Sequence, residues 1–196
     1  MKKIVIGLVL ILFCSAYSQR SAVTPIWRLM LTSNVIVSGK VLSHDTTCSV
    51  VVIEKILLAP NNLNLSAEKK IKINHSNNVT LTIKSASISD GSRAVFYLNT
   101  IANTDNLNHT DHFLATVPIA SNNKIKFFSK TDSQNYATIQ EYTTAIRFVR
   151  KSYFLDKTGM VCSLLSTKRI RKFSEINALS KSIFEEIERE RRQYLQ

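Results

Sequence analysis

The chain predicts a mainly β domain, a small closed antiparallel barrel, led by a short helix and followed by two C-terminal helices (α+β). Three observations carry that prediction. Between Val35 and Phe128 apolar residues recur at every second position in short runs separated by turn residues. From Ile139 onward the step between apolar residues changes to alternating threes and fours. Hydrophobic residues make up 44 % of the chain, enough for a sizeable core.

The elements follow in order. Lys2 and Lys3 precede an apolar run from Ile4 to Phe13, and small Ala16 and Ser18 follow, so residues 1–18 read as a signal peptide cleaved after Ser18. The run falls short of the roughly 20 apolar residues a spanning helix needs. Nothing after it reaches that length, so the mature chain is expected to lack a transmembrane segment and to reside in the periplasm or outside the cell. Phe13 is bulky where a lipid-attachment signal at Cys14 wants a small residue, which argues against a lipoprotein. The remaining chain divides into a barrel domain, 19–130, and a helical region, 131–196, packed on it.

Thr24-Pro25 reads as a helix start, with Ile26, Leu29 and Met30 on one face. Val35, Val37, Gly39 and Val41 alternate with Ile36, Ser38 and Lys40, a half-buried strand. Cys48 to Leu57 is a more continuously apolar one, stopped at Pro60. Ile71 and Ile73, then Val79, Leu81 and Ile83, form two one-sided strands. Asp90-Gly91 supplies a turn before Ala94–Leu98, and weaker strands cover about 113–117 and 124–128. Ile139, Tyr142, Ile146, Val149 and Tyr153 then make a helical stripe ending at Asp156–Gly159. A connector from Met160 to Lys172 leads to a final helix, with Ser174 as its N-cap and a stripe of Ile176, Leu179, Ile183, Ile187 and Tyr194. Glu185–Arg189 and Glu188–Arg192 are spaced as ion pairs on its polar side.

The runs Leu31-Thr-Ser-Asn-Val-Ile-Val-Ser-Gly-Lys-Val-Leu42, Ser49-Val-Val-Val-Ile-Glu-Lys-Ile-Leu57, Lys70-Ile-Lys-Ile73 and Gly91-Ser-Arg-Ala-Val-Phe-Tyr-Leu-Asn99 resemble exported OB-fold domains of the netrin-module type, related to tissue inhibitors of metalloproteinases. The likeness spans roughly residues 25–118 and rests on hydrophobic pattern plus Gly39, Lys40, Glu54, Lys55 and Gly91. It implies an OB-like barrel and export. Those inhibitors chelate the target's zinc through an N-terminal cysteine. Cleavage after Ser18 would expose Gln19 instead, so that mechanism does not transfer; a protease inhibitor acting through a loop stays open as an alternative.

Charge points outward. Twenty-six Lys and Arg stand against fourteen Asp and Glu, and residues 147–196 alone hold twelve against six. Such a field favours anionic surfaces or proteins as partners. The group Lys168, Arg169, Arg171 and Lys172 is the candidate anion-binding surface. Nucleic acid is a poorer fit, because Phe96, Tyr97, Phe113, Phe127 and Phe128 read as core and Lys70, Lys72, Lys84 and Lys126 as strand-edge guards.

Cys48 and Cys162, the two cysteines of the mature chain, are expected to form one disulfide closing a 114-residue loop, worth about 4–5 kcal/mol. His109 and His112 are the compact pair of metal-ligand type. They need a third ligand, with His44, His75 or a cysteine available, and their Asn-rich segment from Asn103 reads as a surface loop. No nucleophile sits in a glycine elbow, four glycines cannot cradle a phosphate, and Glu185, Glu186, Glu188 and Glu190 lie on a solvated helix face. The sequence therefore assigns no catalytic residue and no cofactor. It predicts a non-catalytic binding module, with a metal-binding protein or metal-dependent enzyme built on His109 and His112 as the alternative.

Overall fold

The structure, a computed structural model, describes residues 24–45, 47–75, 88–101, 107–113, 115–128 and 134–194. The signal peptide, Cys14, Gln19, Lys84 and the strand expected at 79–83 lie outside those residues.

Five strands close on themselves. They are β1 (Val35–His44), β2 (Cys48–Leu58), β3 (Lys70–Asn74), β4 (Arg93–Thr100) and β5 (Leu107–Phe113), ordered β1-β2-β3-β5-β4 with β4 returning to β1. This order is consistent with an OB-like barrel. Four of the pairings are antiparallel, but β3 and β5 run parallel through Ile73–Leu107 and Asn74–Asn108, so the barrel is mixed rather than purely antiparallel. That closing strand is also where the sequence reading fails, because β5 occupies the segment expected to be a surface loop. Leu107 is buried in the barrel interior, and one inward apolar residue among polar neighbours carries too little alternation to be read as a strand.

The alternation of β1 works as expected. Val35, Val37 and Val41 face inward with Val51, Ile53, Ile71, Ile73, Phe96 and Leu98, whereas Ile36 faces the opposite side. β4 is buried on both faces, because Ala94, Phe96 and Leu98 fill the barrel while Val95 and Tyr97 meet the helices. Gly39 is required by β2: a Cβ there would come within 2.5 Å of the Val52 carbonyl oxygen. Beyond the barrel, β6 (Thr116–Pro118) adds to β4, and β7 (Lys124–Phe128) forms a hairpin with β8 (Gln134–Thr138).

Helix α1 (Ile26–Thr32) starts after Pro25, one residue later than the Thr24 cap predicts, and buries Trp27, Leu29 and Met30. Helix α2 (Ile139–Ser152) begins with a capping box: Glu141 donates its backbone N–H to Thr138 Oγ1 at 3.2 Å, and Thr138 donates its own to Glu141 Oε2 at 2.7 Å. Tyr142, Ile146 and Val149 are buried along the expected stripe. Arg150, off that stripe, serves α1: its Nη1 donates to the carbonyls of Met30 and Ser33 at 3.2 and 2.8 Å, capping the helix end. A short hairpin of β9 (Tyr153–Leu155) and β10 (Val161–Ser163), then α3 (Thr167–Ser174) and α4 (Ala178–Tyr194), complete the chain. No helix among the described residues is long and apolar enough to cross a membrane.

Three C-terminal expectations are corrected. The connector from Met160 to Lys172 is a strand and most of a helix. Ser174 ends α3, its Oγ donating to the Arg171 carbonyl, and Asn177 caps α4 by accepting the Ser180 N–H at 2.8 Å. Glu188 pairs with Arg191 at 2.8 Å, one position short of Arg192.

Candidate functional site

Helix α3 carries the predicted basic group. Its anchor is Ile170, fully buried against the main core, and Ser174 is buried one turn later. The positions between and before them are forced outward, so Lys168, Arg169, Arg171 and Lys172 are all exposed. Arg171 and Lys172 lie in the last turn, where cations complement the helix dipole. From Lys157 to Ser174 the chain holds five cations and no acid.

Apolar side chains accompany these charges. Leu164 is 55 % exposed just before α3 and Ile176 is 62 % exposed just after it. Phe173 is exposed on the helix itself, with the Arg169 guanidinium 5.7 Å from its ring centroid. Met160 and Phe154 add two more exposed apolar residues from the preceding hairpin. The groove between α3 and α4, about 540 Å³, is of another character: Arg171, Lys181, Arg189 and Arg192 share it with Glu175, Glu185 and Glu188, so most of its charge is offset. The charged side chains of α3 itself, Lys168, Arg169, Arg171 and Lys172, are all cations.

The cysteines do not pair. Cys48 and Cys162 are free thiols in separate sheets, at the start of β2 and in the β9–β10 hairpin. Cys48 Sγ donates to Asp45 Oδ2 at 3.6 Å instead. Asp45, unassigned by the sequence, closes the β1–β2 turn; the Thr47 hydroxyl, then the Cys48 and Thr47 amides, hold its carboxyl well below the usual carboxylate range. Asp156 does the same for the β9–β10 turn, with the Thr158 hydroxyl as the chief cause of its lowered value. Glu54, also unassigned, makes a bidentate pair with Arg93 across the barrel wall.

His109 and His112 both fall in β5. The His112 side chain lies outside the described ones, as do those of Phe113, Phe127 and Phe128. His109 joins His44 and His75 instead: ring centroids are 5.1 Å apart for His44–His75 and 5.7 Å for His75–His109. Buried Ser49 links the first two, its Oγ lying 2.8 Å from His44 Nδ1 and 2.9 Å from His75 Nε2. Burial, and next the neighbouring His75 and His44, lower the His109 ring to about 4, so it is neutral near pH 7. Ser49 next to histidine has the components of an activated nucleophile, but the hydroxyl is sealed from solvent, as an acyl-transfer site cannot be. Phe96 and Tyr97 are fully buried, as expected of core rather than stacking residues.

No protein-family model matches the chain, and a search of curated proteins finds no match.

Proposed function

We propose that this chain is an exported, non-catalytic module that docks on an anionic lipid surface through α3 and the segments beside it. The observation that carries the reading is the exposure of Lys168, Arg169, Arg171 and Lys172 together with Leu164, Phe173 and Ile176. Charge alone would suit any polyanion. Exposed Leu, Phe and Ile among the cations favour a headgroup boundary, where apolar tips enter the acyl region while the basic heads meet phosphate. A kinship of the barrel with netrin modules belongs to the same reading, supported by its strand order.

Each cation near an anionic leaflet is worth about 1 kcal/mol, so removing four costs about 1,000-fold in partitioning. The test is cosedimentation with phosphatidylcholine vesicles, plain or doped with phosphatidylglycerol, across a salt series. Expected are binding to the doped vesicles only, weakening with salt, and its loss in Lys168→Gln/Arg169→Gln/Arg171→Gln/Lys172→Gln. Equal partitioning onto both vesicle types, or an unaffected quadruple variant, overturns the reading.

A further inference from the structure

At one end of the barrel the apolar interior gives way to His44, Ser49, His75 and His109, from the end of β1, the start of β2, the residue after β3 and the middle of β5. The rings form a row. His44 lies 5.1 Å from His75 between centroids, His75 lies 5.7 Å from His109, and His109 lies 6.5 Å from Phe96 of β4. Among the described residues no three His, Cys, Asp or Glu are grouped to hold a metal ion. What such a row governs is protons.

The row crosses the thinnest seam of the barrel wall. Among the described residues β3 and β5 overlap through Ile73–Leu107 and Asn74–Asn108, whereas β2 and β3 pair over five residues and β4 and β5 over three. His75 and His109 directly follow the last pair, one on each side of the seam. We propose that the row is an acid-sensitive latch: neutral imidazoles keep the β3–β5 seam closed, and protons taken up by His75 and His109 force it open.

The neutral row is well matched to its surroundings. Ser49 Oγ lies 2.8 Å from His44 Nδ1 and 2.9 Å from His75 Nε2, so it donates to one ring and accepts from the other with both uncharged. His109 Nδ1 is buried without a hydrogen-bond partner among the described residues, so a proton added there meets no acceptor. Two imidazolium rings 5.7 Å apart in a dry barrel end would repel far more strongly than in water. Other charges offer little relief. Asp45, next to His44, is committed to its turn by the Thr47 hydroxyl and amide and the Cys48 amide. Lys72 of β3 is exposed, β4 contributes uncharged Phe96, and the side chains of Asp111 and His112 on β5 lie outside the described ones.

The sign follows from burial, which, with His75 and His44 next, lowers His109 from the ordinary 6.5 to about 4. A base lowered by folding stabilises the fold in full above pH 6.5. That contribution is lost as the pH falls toward 4, by up to about 300-fold in the folding equilibrium. The latch is separate from α3, since none of its residues belongs to the helical region.

The experiment follows the thermal midpoint of untagged protein from pH 7 to 4.5, with peptide-resolved hydrogen exchange corrected for its intrinsic pH dependence. The midpoint should fall, and protection should be lost in β3 and β5 before the β1–β4 pairing. His109→Phe keeps a ring of similar size that takes no proton, so it should flatten the fall and leave the midpoint at pH 7 equal or higher. Ring-proton NMR of the parent chain needs no variant, and His109 should stay neutral down to pH 5. Four results overturn the proposal: a midpoint unchanged by acid, exchange that quickens equally in β1 and β4, an undiminished fall in folded His109→Phe, or a His109 that titrates near 6.5 in the folded chain.

Discussion

The inside of the barrel and its helix-covered outer wall are both dry, yet they are built from different side chains. Inside, Val35, Val37, Val41, Val51, Ile53, Ile71 and Ile73 dominate, and among the described side chains of that cluster Phe96 is the one aromatic ring. On the wall, Trp27, Tyr97, Tyr142, Phe148, Tyr153 and Phe184 gather between the sheet and α1, α2 and α4. β4 supplies both, one face to each. The reason is geometric. A five-stranded cylinder has a fixed radius that branched aliphatics fill, whereas helices can stand further off to admit rings. The interior should therefore suffer most from added atoms, and the wall most from removed ones.

Trp27→Ala tests the wall. Trp27 is fully buried, and truncation leaves a cavity that α1 is too short to close, so about 3–5 kcal/mol is expected from urea unfolding. Trp27→Phe should cost far less, because the indole Nε1–H has no hydrogen-bond partner among the described residues to lose. A truncation that costs under about 1 kcal/mol would mean the helices collapse onto the sheet freely, and the contrast would fail.

Gly39→Ala tests the barrel. The new methyl would meet the Val52 carbonyl oxygen at 2.5 Å and Val51 Cγ1 at 2.6 Å. A backbone atom cannot swing aside like a side-chain tip, so the change should cost about 1–3 kcal/mol although it adds one carbon. Unchanged unfolding would show that β1 and β2 separate easily there, contrary to a rigid cylinder.

The same contrast explains what could be read in the sequence. Val35–Val41 and Ile71–Ile73 were legible because their period of two is strict, and α2 because its stripe meets one continuous wall. β5 was not, because its strand character lies in backbone pairing with β3 and β4, which its own side-chain pattern does not show. α3 was hidden because eight residues with only Ile170 and Ser174 buried leave no stripe to see. For the final helix, Ser174 and Asn177 are equally good caps in isolation, and only the Ser174 bond back to Arg171 separates them. The histidines could be named from the sequence only as loose candidates, for the deepest reason. They stand far apart in the chain, and only register brings them together: His44 opposite Ser49, and Asn74, before His75, beside Asn108, before His109. The basic group, a run along the chain, needed no pairing to be noticed.

The smallest effect concerns a polar contact buried inside the wall. Tyr97 and Tyr142 are fully buried and their hydroxyls share a hydrogen bond. Tyr142→Phe leaves the Tyr97 hydroxyl dry and alone, a cost of about 1–2 kcal/mol. Tyr97→Phe/Tyr142→Phe removes both hydroxyls, so it should cost less than the two single changes added together. Proton linkage gives a second readout. Burial first, and the neighbouring Tyr142 next, raise Tyr97 well above the ordinary tyrosine value, and burial likewise raises Tyr142. The unfolded chain releases these protons near pH 10 while the folded chain must retain them. Their contribution is thus complete below about pH 10 and is lost as the pH rises further. Unfolding followed against phenolate absorbance should show stability falling steeply in alkali, and less steeply in the double variant, with buried Tyr153 left to carry part of the slope. Among the described residues, no phenol belongs to the interior cluster. An alkaline slope that persists in full without Tyr97 and Tyr142 would place its origin outside the wall.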